Sequence, residues 1–145
     1  MSMEFTIDEL YNAIAYAETG THPKAKDNPW VRTYAQGSGS SAYGPVQMTG
    51  GKHSMMMNVY NKPELLSQIG ITEEERGYMS DFLQQADEFL APVSDEYEST
   101  FGYGGPGVLT KDTDKAMYES VAKKIMTYEY GRANKDLDTF IKNWR

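Results

Sequence analysis

Two Thr-x-x-Glu boxes, Thr6-Ile7-Asp8-Glu9 and Thr72-Glu73-Glu74-Glu75, each stand at the head of an apolar stripe of helical period. In such a box the threonine side chain accepts the backbone N–H three residues on, and the glutamate reaches back to the threonine N–H, so each box marks a helix start. After the first, Ile7, Leu10, Tyr11, Ile14 and Ala17 recur at helical spacing, and Gly20 is a stop signal. After the second, Tyr78, Phe82, Ala86 and Phe89 form one stripe that ends near Pro92. Between them the pattern predicts a short helix over Lys52 to Val59, then one with Pro63 in its first turn and Gly70 at its end. Further on, Ala116 or Met117, Val121, Ile125 and Tyr128 predict a helix closing at Gly131. Asn134 is placed to cap a last helix whose inward face is Leu137, Phe140, Ile141 and Trp144.

Residues 21–51 and 102–107 are rich in small and turn-forming residues and read as loops. A loop as long as the first is usually functional or disordered. Trp30, Val31, Tyr34 and Tyr43 argue for order, because leaving such surface in water is costly. No long run alternates with the period of a strand. The expected architecture is therefore all-α or α-dominated, with room for a small β-hairpin within 21–48. With 145 residues the chain is expected to be a single domain, 1–145, long enough to bury one sizeable core.

Composition narrows the chemistry. There is no cysteine, which removes disulfides and thiol catalysis, and the two histidines, His22 and His53, argue against a zinc site. No metal and no cofactor is expected. The net charge of −7 disfavours nucleic acid, whose phosphates need Lys and Arg. No apolar run approaches membrane-spanning length, so membrane insertion is not expected. Met1 to Leu10 carries acids and does not read as a signal peptide. Met55-Met56-Met57 reads as a buried helix face, and Glu73-Glu74-Glu75 as charge complementing a helix start. His22 and His53 read as surface residues.

Stepping along the first helix from Ile7 through Tyr11 and Ile14 leads to Glu18, which places that carboxylate on the buried stripe at the helix C-terminus. Burial and the negative end of the helix dipole both disfavour the charged form. A carboxyl group protonated near neutral pH can act as a general acid, the role that glycosidic cleavage requires. About twenty residues later, the run Ser38-Gly39-Ser40-Ser41-Ala42-Tyr43-Gly44-Pro45-Val46-Gln47-Met48 supplies small residues that let backbone approach a ligand. Its Gln47 amide can both donate and accept.

Glu18-Thr19-Gly20 followed by this run resembles the lysozyme-like fold of lytic transglycosylases and goose-type lysozymes. In that family a glutamate in a Glu-Ser-Gly-like turn is the sole catalytic acid, and a Ser-x-x-Gly-Ala-x-Gly-Leu-Met-Gln segment lies beneath the sugar. Ser38, Ala42, Gly44 and Gln47 fall on the pattern; Ser41 replaces Gly, Pro45 replaces Leu and Val46 replaces Met. Phe101-Gly102-Tyr103-Gly104-Gly105-Pro106-Gly107-Val108 resembles the family's Ala-Tyr-Asn-Ala-Gly-Pro-Gly-x-Val stretch, with Tyr103 one residue out of register and the Asn absent. The resemblance implies a lysozyme-like transglycosylase domain cutting peptidoglycan glycan strands, with Glu18 catalytic. It implies that Ser38, Tyr43, Gln47, Met48 and Tyr103 bind substrate. The sugar's own oxygen would attack the anomeric carbon, giving a 1,6-anhydro product.

Three alternatives stay open, one of them an unrelated small helical scaffold, which would require Glu18 and Gln47 to lie far apart in the folded chain. Glu18, Asp27 and Thr33 follow the Glu-x8-Asp-x5-Thr spacing of inverting phage endolysins, where Asp and Thr position a water on the far face of the sugar. The departures from the transglycosylase pattern also fit a lysozyme-like domain that binds glycan or builds a virion without turnover. The resemblance implies a phage setting: a virion part, or a protein held in the host cytoplasm before delivery to the wall, with other virion proteins as partners.

Overall fold

The computed structural model describes residues 4–23, 25–30, 40–90 and 114–144. Helix takes up 64% of these residues and none of them lies in a strand, so the described part of the chain is helix-dominated, as expected. The order is α1 (Ile7–Ala15), a π-helical turn (Tyr16–Gly20), α2 (Met55–Tyr60), α3 (Pro63–Gln68), α4 (Glu73–Leu90), α5 (Lys115–Arg132) and α6 (Leu137–Asn143).

Both threonine boxes form as expected. Thr6 Oγ1 accepts the Glu9 amide at 3.1 Å while Glu9 Oε1 accepts the Thr6 amide at 2.9 Å. Thr72 and Glu75 repeat this reciprocal pair at the head of α4. Ser54 caps α2, Pro63 opens α3, and Gly70 adopts a left-handed φ of +78° just beyond its end. Asn134 is not a cap. Asn134 and Lys135 both take left-handed backbone (φ 54° and 58°) to turn the chain, and Asp136 caps α6 by accepting the Thr139 amide.

One apolar cluster draws on all six helices. Leu10, Tyr11 and Ile14 of α1 meet Tyr118, Val121, Ala122 and Ile125 of α5; Tyr78, Met79, Phe82 and Leu83 of α4 close over Met55, Met56 and Val59 of α2. The four residues of the expected α4 stripe are all buried. Phe140 and Trp144 face inward, whereas Ile141 is 48% exposed, because the short α6 turns only one narrow edge to the core. In the described part of the long loop, where a small hairpin was expected, one antiparallel bridge joins Tyr43 to Met48, and residues 31–39 of that loop lie outside the described residues.

Glu75 does more than complement a helix dipole. It is buried between α4 and α5, where the Lys124 ammonium and the Ser120 hydroxyl both donate to it. Burial pushes its carboxyl up. The hydrogen bonds from Lys124, Ser120 and the Thr72 amide overcome that and hold the pKa down from 4.5 to about 2. A lowered native pKa means that the stabilisation is present above the unfolded value near 4.5 and is lost as pH falls toward 2. Denaturant unfolding of wild type and Glu75→Gln should differ by on the order of 3 kcal/mol at neutral pH. That gap should close below pH 4.5. A gap that stays constant across this range would show that Glu75 is not held ionised by α5.

Candidate active site: the Glu18 turn and the Tyr43–Met48 turn

The last turn of the first helical segment is π-helical, with hydrogen bonds one residue longer than in an α-helix. A side chain of this turn fastens it to a distant loop. Thr19 Oγ1 lies 2.9 Å from both the Ala15 carbonyl and the Pro45 carbonyl, which share its single hydroxyl proton. The longer turn advances the buried position from Ile14 by five residues instead of four, so Thr19 is buried and Glu18 is exposed. The expectation that Glu18 continues the apolar stripe is therefore overturned, and the desolvation inferred for it in the free protein is absent. Tyr16, two residues before it, is 67% exposed, and its ring lies over Gly20: a Cβ there would sit 2.8 Å from Tyr16 Cδ2.

Pro45 belongs to a second turn, closed by the Tyr43 amide donating to the Met48 carbonyl at 3.0 Å. Gly44 has φ +80° and Gln47 has φ 53°. The Gln47 backbone N–H and side-chain Nε2 both donate to the Gly44 carbonyl at 3.0 Å, which supports this left-handed residue. A non-glycine residue held so is uncommon, and such positions cluster at functional sites. Three distant elements fasten the turn by its carbonyls. Tyr118 Oη on α5 donates to Tyr43 O at 2.6 Å and accepts the Met48 amide at 3.3 Å. Trp144 Nε1 donates to Val46 O at 3.0 Å, and Thr19 holds Pro45 O. Burial pushes the Tyr118 hydroxyl pKa well above its ordinary value, which keeps it a neutral donor. Ser41 Oγ accepts the Gly50 amide at 3.0 Å on the way out of the turn. Trp30 packs edge-on against Tyr118, with ring centroids 5.0 Å apart, and the Lys115 ammonium lies 5.7 Å from the Trp30 ring.

The structure thus joins the Glu18 turn to the Ala42–Met48 segment, and it sorts the expected site residues. Glu18 is exposed and Gln47 half-buried. Tyr43 and Met48 are both core residues, 0% and 2% exposed, so they shape the turn from beneath and do not face a ligand. They point inward because the bridge between them sits against Tyr118. Asp27 is exposed in the run of turns that starts with the His22 amide donating to the Thr19 carbonyl. Ser38, Thr33 and Tyr103 lie outside the described residues.

The chain matches no family model, no curated protein and no solved structure.

Tyr16, Thr19, Gly44, Tyr118 and Trp144 were not marked as site residues by sequence pattern. Tyr118 and Trp144 give no local signal, since their partners lie 75 and 98 residues away. Tyr16 lies off the apolar stripe of α1, and that was the available hint. Among the described residues no group of three or more His, Asp or Glu side chains is placed to hold a metal ion, and no helix is long and apolar enough to cross a membrane.

Proposed function

We propose that this chain cleaves the β-1,4 bond between N-acetylmuramic acid and N-acetylglucosamine in peptidoglycan, as a lysozyme-like lytic transglycosylase carried in a phage virion. The observation that carries this reading is the Thr19–Pro45 hydrogen bond. It docks the turn bearing an exposed carboxylate on the turn bearing Gln47, and these are the two segments whose sequences resemble the transglycosylase motifs.

Glu18 serves first as acid toward the leaving oxygen and then as base toward the attacking hydroxyl. In the free protein it faces water. A glycan strand laid over the turn displaces that water, and the resulting desolvation favours the protonated form that the first step needs. Gln47 is half-buried in the turn that receives Thr19, and Tyr16, two residues before Glu18, offers an exposed ring of the kind on which sugars stack. The acidic net charge gives no attraction to an anionic wall, so delivery in a virion, among other virion proteins, suits this chain better than free diffusion.

The test is digestion of purified peptidoglycan, with the released muropeptides identified by mass. The expected product ends in a 1,6-anhydro sugar. A reducing-end product would replace this mechanism with hydrolysis, in which Asp27 and Thr33 position water. Binding of glycan without any release would leave a structural or glycan-binding virion part.

A further inference from the structure

A cavity of about 370 Å³ opens where α2 and the head of α3 meet the C-terminal end of α5 and α6. None of its wall comes from the Glu18 turn or from Tyr43–Met48. Its polar lining is His53, Asn58, Lys62, Glu129, Arg132 and Asn143. In a chain of net charge −7, two cations, Lys62 and Arg132, against one acid around this hollow is a local reversal of sign.

The single acid in that wall is held unusually. Glu129 is buried at 9% exposure, and its ion pair among the described residues is with Arg132 Nη1 at 3.4 Å. That exceeds the 2.7–2.9 Å of a good charge-assisted bond. Arg132 itself is exposed, with its guanidinium 5.6 Å from the Tyr128 ring, another part of the wall. A carboxylate accepts up to about four hydrogen bonds. Glu129 therefore has capacity for a cationic donor entering from the cavity. The cations around it have capacity for an anion.

We propose that this cavity binds a small zwitterionic ligand, an amino acid or short peptide, with its ammonium on Glu129 and its carboxylate held by Arg132, Lys62 and His53. The volume lies in the range of small-molecule sites. The inference does not depend on Glu18, and its readout is binding, not cleavage.

The test is a titration of the ¹⁵N-labelled full chain with glycine, glycylglycine and trialanine, following backbone amide shifts. Acetate and methylammonium at matched ionic strength serve as single-charge controls. The expected result is saturable shifts at Asn58, Tyr128 and Asn143 with at least one zwitterion, with a Kd on the order of 1 mM or tighter, and none with either control. Glu129→Gln and Arg132→Gln should each weaken binding roughly tenfold. Absence of saturable shifts with all three zwitterions overturns the proposal. So does a response to acetate or methylammonium alone that equals the zwitterion's, or unchanged affinity in both variants. If Glu129→Gln loses its dispersed spectrum, Arg132→Gln and Lys62→Gln decide, because both positions are exposed and their replacement leaves the core untouched.

Discussion

Glu18→Gln is expected to lower peptidoglycan cleavage by roughly 10²–10⁴-fold, the usual contribution of a general acid–base group. Glutamine keeps the size and hydrogen-bonding capacity of the side chain but can neither give up nor return the proton. Because Glu18 is exposed, the change should alter unfolding free energy by no more than about 0.5 kcal/mol. The contact of Thr19 Oγ1 with the Pro45 carbonyl, which fastens the turn, does not involve the Glu18 carboxylate and should persist. The measurement pairs muropeptide release with a thermal melt. Lost release with an unchanged melt is the expected pair. Release at the wild-type rate would remove Glu18 from the chemistry and with it the proposed mechanism. A collapsed melt would assign Glu18 a role in folding.

What the sequence made legible was local. The capping boxes, the proline that opens α3, the glycine beyond it and the α4 stripe are each written within one helical turn or one continuous pattern, and each appears where expected. The site was legible in order but not in detail. Glu18-Thr19-Gly20 and Ala42–Met48 could be paired by resemblance, and they do meet. Which residues face outward could not be read, because the last turn is π-helical, which exchanges the positions of Thr19 and Glu18, and Thr19 then meets Pro45 from across the chain. The inward placement of Tyr43 and Met48 likewise depends on Tyr118, whose ring and hydroxyl arrive from a helix that no local pattern connects to the loop. The swap of Asn134 for Asp136 as a cap has the same character: two consecutive left-handed residues move the helix start by two positions.

Gly44→Ala is expected to destabilise the fold by about 3 kcal/mol, from two separable costs. The first is conformational: Gly44 has φ +80°, where an L side chain is disfavoured by roughly 1–2 kcal/mol. The second is steric. An added Cβ would lie 2.4 Å from Tyr118 Cζ and 2.6 Å from its Oη. That ring has nowhere to go. It is fully buried, it packs against Trp30, Tyr43 and Phe82, and its hydroxyl holds both ends of the Tyr43–Met48 turn. Overpacking of this kind costs about 1–3 kcal/mol. Gly70→Ala isolates the first cost, because Gly70 has φ +78° but nothing within 4 Å of its added Cβ. The two variants should therefore differ in unfolding free energy by the steric part alone, with Gly44→Ala melting lower by several degrees. Equal losses in both would mean that the Tyr118 ring does not rest on Gly44. The consequence reaches the site as well, since Pro45, which receives Thr19, follows Gly44 directly, and Gln47 leans on the Gly44 carbonyl. A ring pushed off Gly44 shifts the seat of the Glu18 turn, so Gly44→Ala should also lose cleavage activity under conditions where most of it is still folded, which Gly70→Ala should not.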